Sequence, residues 1–317
     1  MNDKKLFNDG FINLGKNFLN VSEIDNLIIQ SKNLMKEAIN NKDNLSNINI
    51  SNNDFNDESI GSGGFALKRV DQHNSQISKI LVKIFENTKI NNLLENYLGK
   101  NFKIHHVGIR KSSKNDKGLG LHQDGPGQMN LTILLDDNLD IFGSTVFLKN
   151  THLIDARLDE IKLLTPPLFL KLYKFCLSYI RGHRGDICLF FNRTWHGRYP
   201  SNREESKQVI LIGLHPEGTI YGSEYDDWYD DYYLEGLGNC AFRNRIDHKI
   251  GTIKVNDQVV RIQDSPSEKI SLKLENPKKN NIENFSFVNL FYVITVILIV
   301  YPARWIKKSK AIRFFFT

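Results

Sequence analysis

The sequence predicts a mainly β fold with flanking helices, on three observations. Apolar residues alternate with polar ones, or form short continuous runs, in "NFKIHHVGIRKSS", "MNLTILLDD", "GDICLFF" and "QVILIGLHP". Loops carrying Gly, Asn and Asp, such as "KNDKGLG" and "LDDNLDIFG", separate these runs. Helical spacing of apolar residues is concentrated before Gly99 and in one stretch after Pro166.

Taken in order, Phe11, Ile12 and Leu14 read as a short strand. Ser22 is the expected N-cap of a helix through about Ala38, with Ile24, Leu27, Ile28 and Leu34 at near-helical spacing. The Asn-rich stretch that follows is expected to be a loop. Gly61, Gly63 and Gly64 in it are turn residues and not a phosphate cradle, because no Lys-Ser or Lys-Thr pair opens a helix after them. "NSQISKILVKIFENTKINNLLENYLG" reads as one or two amphipathic helices stopped by Gly99. In the next strand His105 and His106 are adjacent, so they face opposite ways and cannot serve one metal together. "LHQDGPGQMNLTILLDD" reads as a strand opened by His122 and Asp124, which lie two apart on one face. "STVFLKN" is a further strand, and Pro166 and Pro167 open a helix expected to end near Gly182. "RGDICLFFNRTWHGRYP" takes an apolar strand into a turn with His196 at its rim, and Lys207 opens the last strand.

Composition narrows the function classes. The chain has 317 residues and 36.6 kDa, ample for a buried core. Cys176, Cys188 and Cys240 are odd in number and widely spaced, which argues against a disulfide framework or a zinc site and fits a reducing compartment. Of the formal net charge of +6, five charges come from Arg304, Lys307, Lys308, Lys310 and Arg313, so the rest of the chain carries only +1. A nearly neutral body has no electrostatic footprint for nucleic acid. The N-terminal residues lack the apolar core of a signal peptide, and export by that route is not expected.

His122, Asp124 and His196 supply two imidazoles and one carboxylate, the ligand set of a facial-triad Fe(II) site with open positions. Their order and setting, "LHQDG", "GSTVFLKNTH", "GDICLFF", His196 and then a basic residue opening "QVILIGLHP", resemble the phytanoyl-CoA dioxygenase-like branch of the Fe(II)- and 2-oxoglutarate-dependent oxygenases. "NDGFINLGKNFLNVSEIDNLI" is similar to that family's opening strand and first helix, so the resemblance covers about Leu6 to Pro216.

The resemblance implies a double-stranded β-helix, a cupin-like jelly roll, over residues 1–216. It also implies Fe(II), 2-oxoglutarate and O2 as cofactors, ascorbate as a helpful addition in vitro, and oxidative decarboxylation of 2-oxoglutarate to succinate and CO2. Its substrate would be a small or membrane-proximal molecule. The carboxylate of Asp124 favours hydroxylation over halogenation, with desaturation left open. Where the family uses an Arg to grip the far carboxylate of 2-oxoglutarate, this chain has Lys207, a charge without the planar fork. Arg198 and Arg203 are rival anchors, and Thr132 matches a position on the cosubstrate wall. His152 matches the family's Gly-Ser-His segment and is expected to be structural, as is His183. A non-catalytic membrane-anchored jelly-roll binding protein and a 2-oxoglutarate-independent cupin-type metalloenzyme stay open as alternatives.

Beyond residue 216 the family offers less. Residues 217–250 are rich in aromatics and acids and form a possible lid; 251–284 read as a linker or short strands. Residues 285–303, "FSFVNLFYVITVILIVYPA", carry no charge and reach the lower length for a membrane-spanning or membrane-associated helix, followed by the basic tail 304–317. This predicts membrane lipid as a partner. The tail alone would place the C-terminus in the cytoplasm and the barrel outside, whereas intracellular Fe(II) and 2-oxoglutarate favour a tail anchor or in-plane helix with the catalytic domain on the cytoplasmic side.

Overall fold

The computed structural model describes residues 2–52, 54–57, 64–99, 102–122, 128–153, 167–172, 174–192 and 194–215, with a small hairpin of Lys254–Val255 against Gln258–Val259. The chain opens with α1 (Asn2–Asp9), β1 (Phe11–Gly15) and α2 (Val21–Asn40). Next come β2 (Phe55–Asp57), β3 (Gly64–Lys68), α3 (Val70–His73), α4 (Ser75–Glu86) and α5 (Thr88–Leu98). The barrel strands are β4 (Lys103–Ser112), β5 (Leu119–His122), β6 (Met129–Leu134), β7 (Thr145–Phe147), β8 (Ser178–Tyr179), β9 (Ile187–Phe191), β10 (His196–Arg198) and β11 (Lys207–His215), with α6 (Pro167–Leu172) between β7 and β8.

Two antiparallel sheets face each other. The larger has the order β1-β9-β6-β11-β4-β3-β2 and the smaller β5-β10-β7-β8. From β4 onward the chain crosses repeatedly between them, β4 large, β5 small, β6 large, β7 and β8 small, β9 large, β10 small, β11 large. That is the jelly-roll winding of a double-stranded β-helix, the fold expected from the sequence.

Alternation along the strands separates two cores. Outward-facing Leu131, Ile133, Ile187, Leu189, Ile210 and Ile212 pack under α2, α4 and α5. Inward-facing Leu134, Cys188 and Phe190 of the large sheet meet Phe147 of the small one. Phe147 stacks on Phe11 at 4.4 Å and meets Phe190 edge-on at 5.1 Å, which joins the two sheets. On the far side of the small sheet Leu121, Val146, Leu148 and Trp195 pack against Leu170 of α6.

Several local expectations are corrected. The first long helix is capped by Asn20, whose side chain accepts from the Glu23 N–H while Glu23 reaches back to the Asn20 N–H; Ser22 instead donates to Asn20 Oδ1 at 2.7 Å. The Asn-rich stretch contains a 3-10 turn at Leu45–Ile48 and the strand β2, and Gly64 opens β3. His122 ends β5 instead of opening a strand. The helix after Pro166 stops at Leu172, because Ser178 and Tyr179 are taken up by pairing with Phe147 and Val146. Gly61, Gly63, Cys240, the possible lid at 217–250 and most of the 251–284 linker lie outside the described residues. So do the apolar run 285–303 and the basic tail 304–317. Among the described residues no helix is long and apolar enough to cross a membrane.

Candidate metal centre

The predicted histidines come together across one strand pair. His196, the first residue of β10, is the register partner of both His122 on β5 and Phe147 on β7. Cross-strand partners share a face, and Phe147 lies between the sheets, so both imidazoles belong to the inner face. Their ring centroids are 4.4 Å apart with the planes 49° from parallel, and the Phe190 ring lies 5.0 Å from that of His196.

The neighbouring sequence fixes this orientation. Trp195 and His196 point to opposite faces, and Trp195, 1% exposed, is buried in the outer core. The Trp195 N–H donates to Thr151 Oγ1 at 2.9 Å, and Thr194 Oγ1 donates to the Gly10 carbonyl at 2.9 Å. A Cβ at Gly197 would lie 2.4 Å from the Leu119 carbonyl oxygen, so glycine there lets β10 approach β5.

Each imidazole is held through one nitrogen. His122 Nδ1 is 2.9 Å from the Gly120 carbonyl oxygen and His196 Nδ1 is 2.8 Å from that of Thr194. A carbonyl only accepts, so each Nδ1 carries the proton and each Nε2 a lone pair of the kind that ligates a metal. Asp124, the third expected ligand, lies outside the described residues, and among those described no group of three metal-ligating side chains forms.

The three basic candidates have distinct settings. Lys207 opens β11 opposite Ser112, and its ammonium donates to Asp140 Oδ1 at 2.6 Å and to the Asp140 carbonyl at 3.0 Å. Arg198 lies within β10 and not in the following turn; its Nε sits 2.7 Å from Asp116 Oδ2, with the carboxylate fully buried. Asp116 also accepts from Ser112 Oγ at 2.7 Å, so Arg198 belongs to a buried polar strut. Arg203 is 55% exposed, with its guanidinium 3.4 Å from Asp140 and over the Phe142 ring.

Thr132 lies on the inner face of β6 between Cys188 and Leu211, fully buried, with no hydrogen-bond partner for Oγ1. Burial pushes the neighbouring Cys188 thiol far up, which makes it a core residue and no nucleophile. His152 stacks on Phe191 with Nε2 2.7 Å from the Phe7 carbonyl oxygen, and His183 pairs with Asp137 at 3.4 Å; neither lies on a barrel strand. Asp116 and Asp140 were not singled out by sequence reasoning, since each lies in a loop far along the chain from its cation.

No family model matches the chain, and no curated protein sequence matches it. Solved structures do. AviO1 from Streptomyces viridochromogenes Tue57 matches with 15% identity and a TM-score of 0.50, over 68% of this chain and 94% of that one. EctD from S. alaskensis with bound Fe matches with 14% identity and a TM-score of 0.51, over 68% and 75% of the two chains. The epimerase SnoN in complex with Fe3+, alpha ketoglutarate and nogalamycin RO matches with 11% identity and a TM-score of 0.50, over 68% and 83%. At these identities the shared property is the fold, over about two thirds of this chain.

Proposed function

We propose that the chain is an Fe(II)- and 2-oxoglutarate-dependent oxygenase acting on a small molecule, with His122, Asp124 and His196 as the metal ligands. One observation carries this reading: two inner-face histidines stand in register on adjacent strands, each tied by Nδ1 to a backbone carbonyl so that Nε2 is the ligating atom. Asp124, two residues beyond His122, supplies the carboxylate of the triad. The jelly roll shared with EctD and SnoN, one crystallised with Fe and the other with Fe3+ and alpha ketoglutarate, supports the same cofactors here.

When bound, Fe(II) would supply O2 activation, with O2 as the oxidant and 2-oxoglutarate as the two-electron reductant that leaves as succinate and CO2. The protein's part is to hold and orient. Lys207 offers its ammonium to the far carboxylate of 2-oxoglutarate, and Thr132, whose buried hydroxyl has no partner, lines the wall beside it. Phe190 and Phe147 dry the floor beneath the histidines, which strengthens the charge interactions above them. Attachment to a membrane through residues 285–303, with the barrel on the cytoplasmic side, is part of the proposal, supported by the uncharged run and the basic tail.

Anaerobic titration of the full chain with Fe(II) and then 2-oxoglutarate tests the site. A visible metal-to-ligand charge-transfer band that needs both additions, and is lost in His122→Ala and His196→Ala, is the expected result. Absence of the band, with no Fe(II) retained on desalting, would remove the iron-site reading.

A further inference from the structure

Three buried carboxamides form a relay on the inner face of the large sheet. Asn130 is the cross-strand partner of Phe190, a residue of the core between the sheets, so both side chains project inward. Asn130 Nδ2 donates to Asn192 Oδ1 at 2.7 Å, and Asn192 Nδ2 donates to Gln128 Oε1 at 3.1 Å. The Asn192 N–H also donates to the Gln128 carbonyl at 2.9 Å, which carries the pairing of β6 with β9 one step past the strand ends. All three residues are more than nine-tenths buried.

The relay lies at the end of the barrel where the histidines meet. The Phe190 ring, on the residue opposite Asn130, is 5.0 Å from that of His196. Asn192 lies on the connection from β9 to His196, and Gln128 on the connection from β5 to β6 that also carries Asp124. Lys207 opens β11, whereas Asn130 pairs with Gly213 towards the other end of that strand. The relay therefore stands apart from the proposed anchor of 2-oxoglutarate.

Both ends of the relay are unmatched. Gln128 Nε2 and Asn130 Oδ1 have no hydrogen-bond partner among the described residues, and neither is sealed off as Thr132 Oγ1 is. An amide edge at such burial costs stability until water or a ligand completes it. Turning all three carboxamides over keeps both internal bonds and exchanges donor for acceptor at the two ends. A hydroxyl suits either arrangement, since it donates and accepts; a carbonyl, carboxylate or ammonium suits only one. The inner-facing positions of β6 and β9 are Asn130, Thr132, Leu134, Cys188 and Phe190, so no charge there compensates a charged ligand group.

We propose that Gln128, Asn130 and Asn192 determine specificity by receiving two neutral hydroxyl groups of the primary substrate, one at each end of the relay. Gln128 and Asn130 lie two residues apart on extended chain, about 7 Å, so the hydroxyls belong to separate carbons of a polyol-like molecule. Naming the ligand as the primary substrate rests on the oxygenase reading; recognition of hydroxyls by the relay does not.

The test is saturation-transfer NMR on the full chain in detergent, with cyclohexane-1,4-diol as the probe and cyclohexane-1,4-dione, which only accepts, as its matched control. The diol is expected to bind about three-fold or more tighter than the dione, as one added hydrogen bond requires. Gln128→Met and Asn130→Leu should each erase that advantage, with thermal melts confirming that they fold. Equal binding of diol and dione, no binding of the diol, or an advantage kept in both folded variants overturns the relay's role. Diol binding that persists with Mn(II) and bound 2-oxoglutarate supports the substrate assignment, and displacement of the diol by 2-oxoglutarate overturns it in favour of the cosubstrate. If metal and 2-oxoglutarate fail to bind, the oxygenase reading fails, while the diol and dione comparison on the unaltered metal-free chain still decides the relay.

Discussion

With Lys207 in the proposed role of 2-oxoglutarate anchor, Asp140→Asn should tighten 2-oxoglutarate binding, because it removes the carboxylate that holds the ammonium. The Lys207 ammonium is 2.6 Å from Asp140 Oδ1, with the lysine side chain 16% and the aspartate 40% exposed. An ion pair with one partner this accessible is worth about 1 kcal/mol or less after solvent screening. Releasing Lys207 from it should lower the 2-oxoglutarate dissociation constant by up to about five-fold. Lys207→Met removes the charge itself and a bond worth about 1.5–3 kcal/mol, a weakening of roughly 10- to 100-fold. Arg203→Gln should stay within about two-fold, since that side chain is solvated and its pairing weak. Isothermal titration of 2-oxoglutarate into the Mn(II)-loaded full chain reads all three. Equal weakening in Asp140→Asn and Lys207→Met would refute competition and make Asp140 a positioning residue. An unchanged Lys207→Met would remove Lys207 as the anchor.

Asp116→Asn leaves Arg198 without its buried countercharge and should cost about 3 kcal/mol, read as a lower denaturant midpoint at constant slope. Gly118→Ala should destabilise by about 2 kcal/mol or more, because φ there is +77° and the new Cβ would lie 2.4 Å from the Arg198 carbonyl oxygen; an unchanged melting temperature would contradict it. The hydrogen bond from Lys83, and then that from the Asn20 N–H, hold Glu23 below the usual carboxylate range. Its folded value is therefore depressed, so its stabilisation is present above the ordinary carboxylate pKa and lost as pH falls through the folded one. Glu23→Gln should lower stability near neutrality and flatten the acid limb of the stability profile; parallel profiles for the two proteins would rule this out.

The central strands β6, β9 and β11 were legible because apolar residues on both faces give them near-continuous apolar runs, and β4 because it alternates, with Val107 and Ile109 on the outer face and His106 and Arg110 on the inner one. Of the short elements, β7 was read from "STVFLKN" but β8 was not: it is held by pairing with β7, and nothing local in "SY" announces a strand. β2 hides in an Asn-rich stretch because its pairing with β3 depends on tertiary contact.

The histidine pair was visible from motif order, though His122 proved to close a strand instead of opening one. The electrostatic setting was not visible. Lys207 and Asp140 are 67 residues apart in sequence, and Arg198 and Asp116 are 82 apart. Only the sheet register brings each cation to its acid.

The central claim is tested most directly by succinate formation from 2-oxoglutarate. The full chain in detergent would be incubated with Fe(II), ascorbate and O2, alongside His122→Ala, Asp124→Ala and His196→Ala. Iron-dependent succinate from the unaltered chain, lost in all three variants, is the predicted result. Succinate formation that survives loss of any of the three, or a chain that neither binds nor turns over 2-oxoglutarate in the presence of iron, would contradict the assignment.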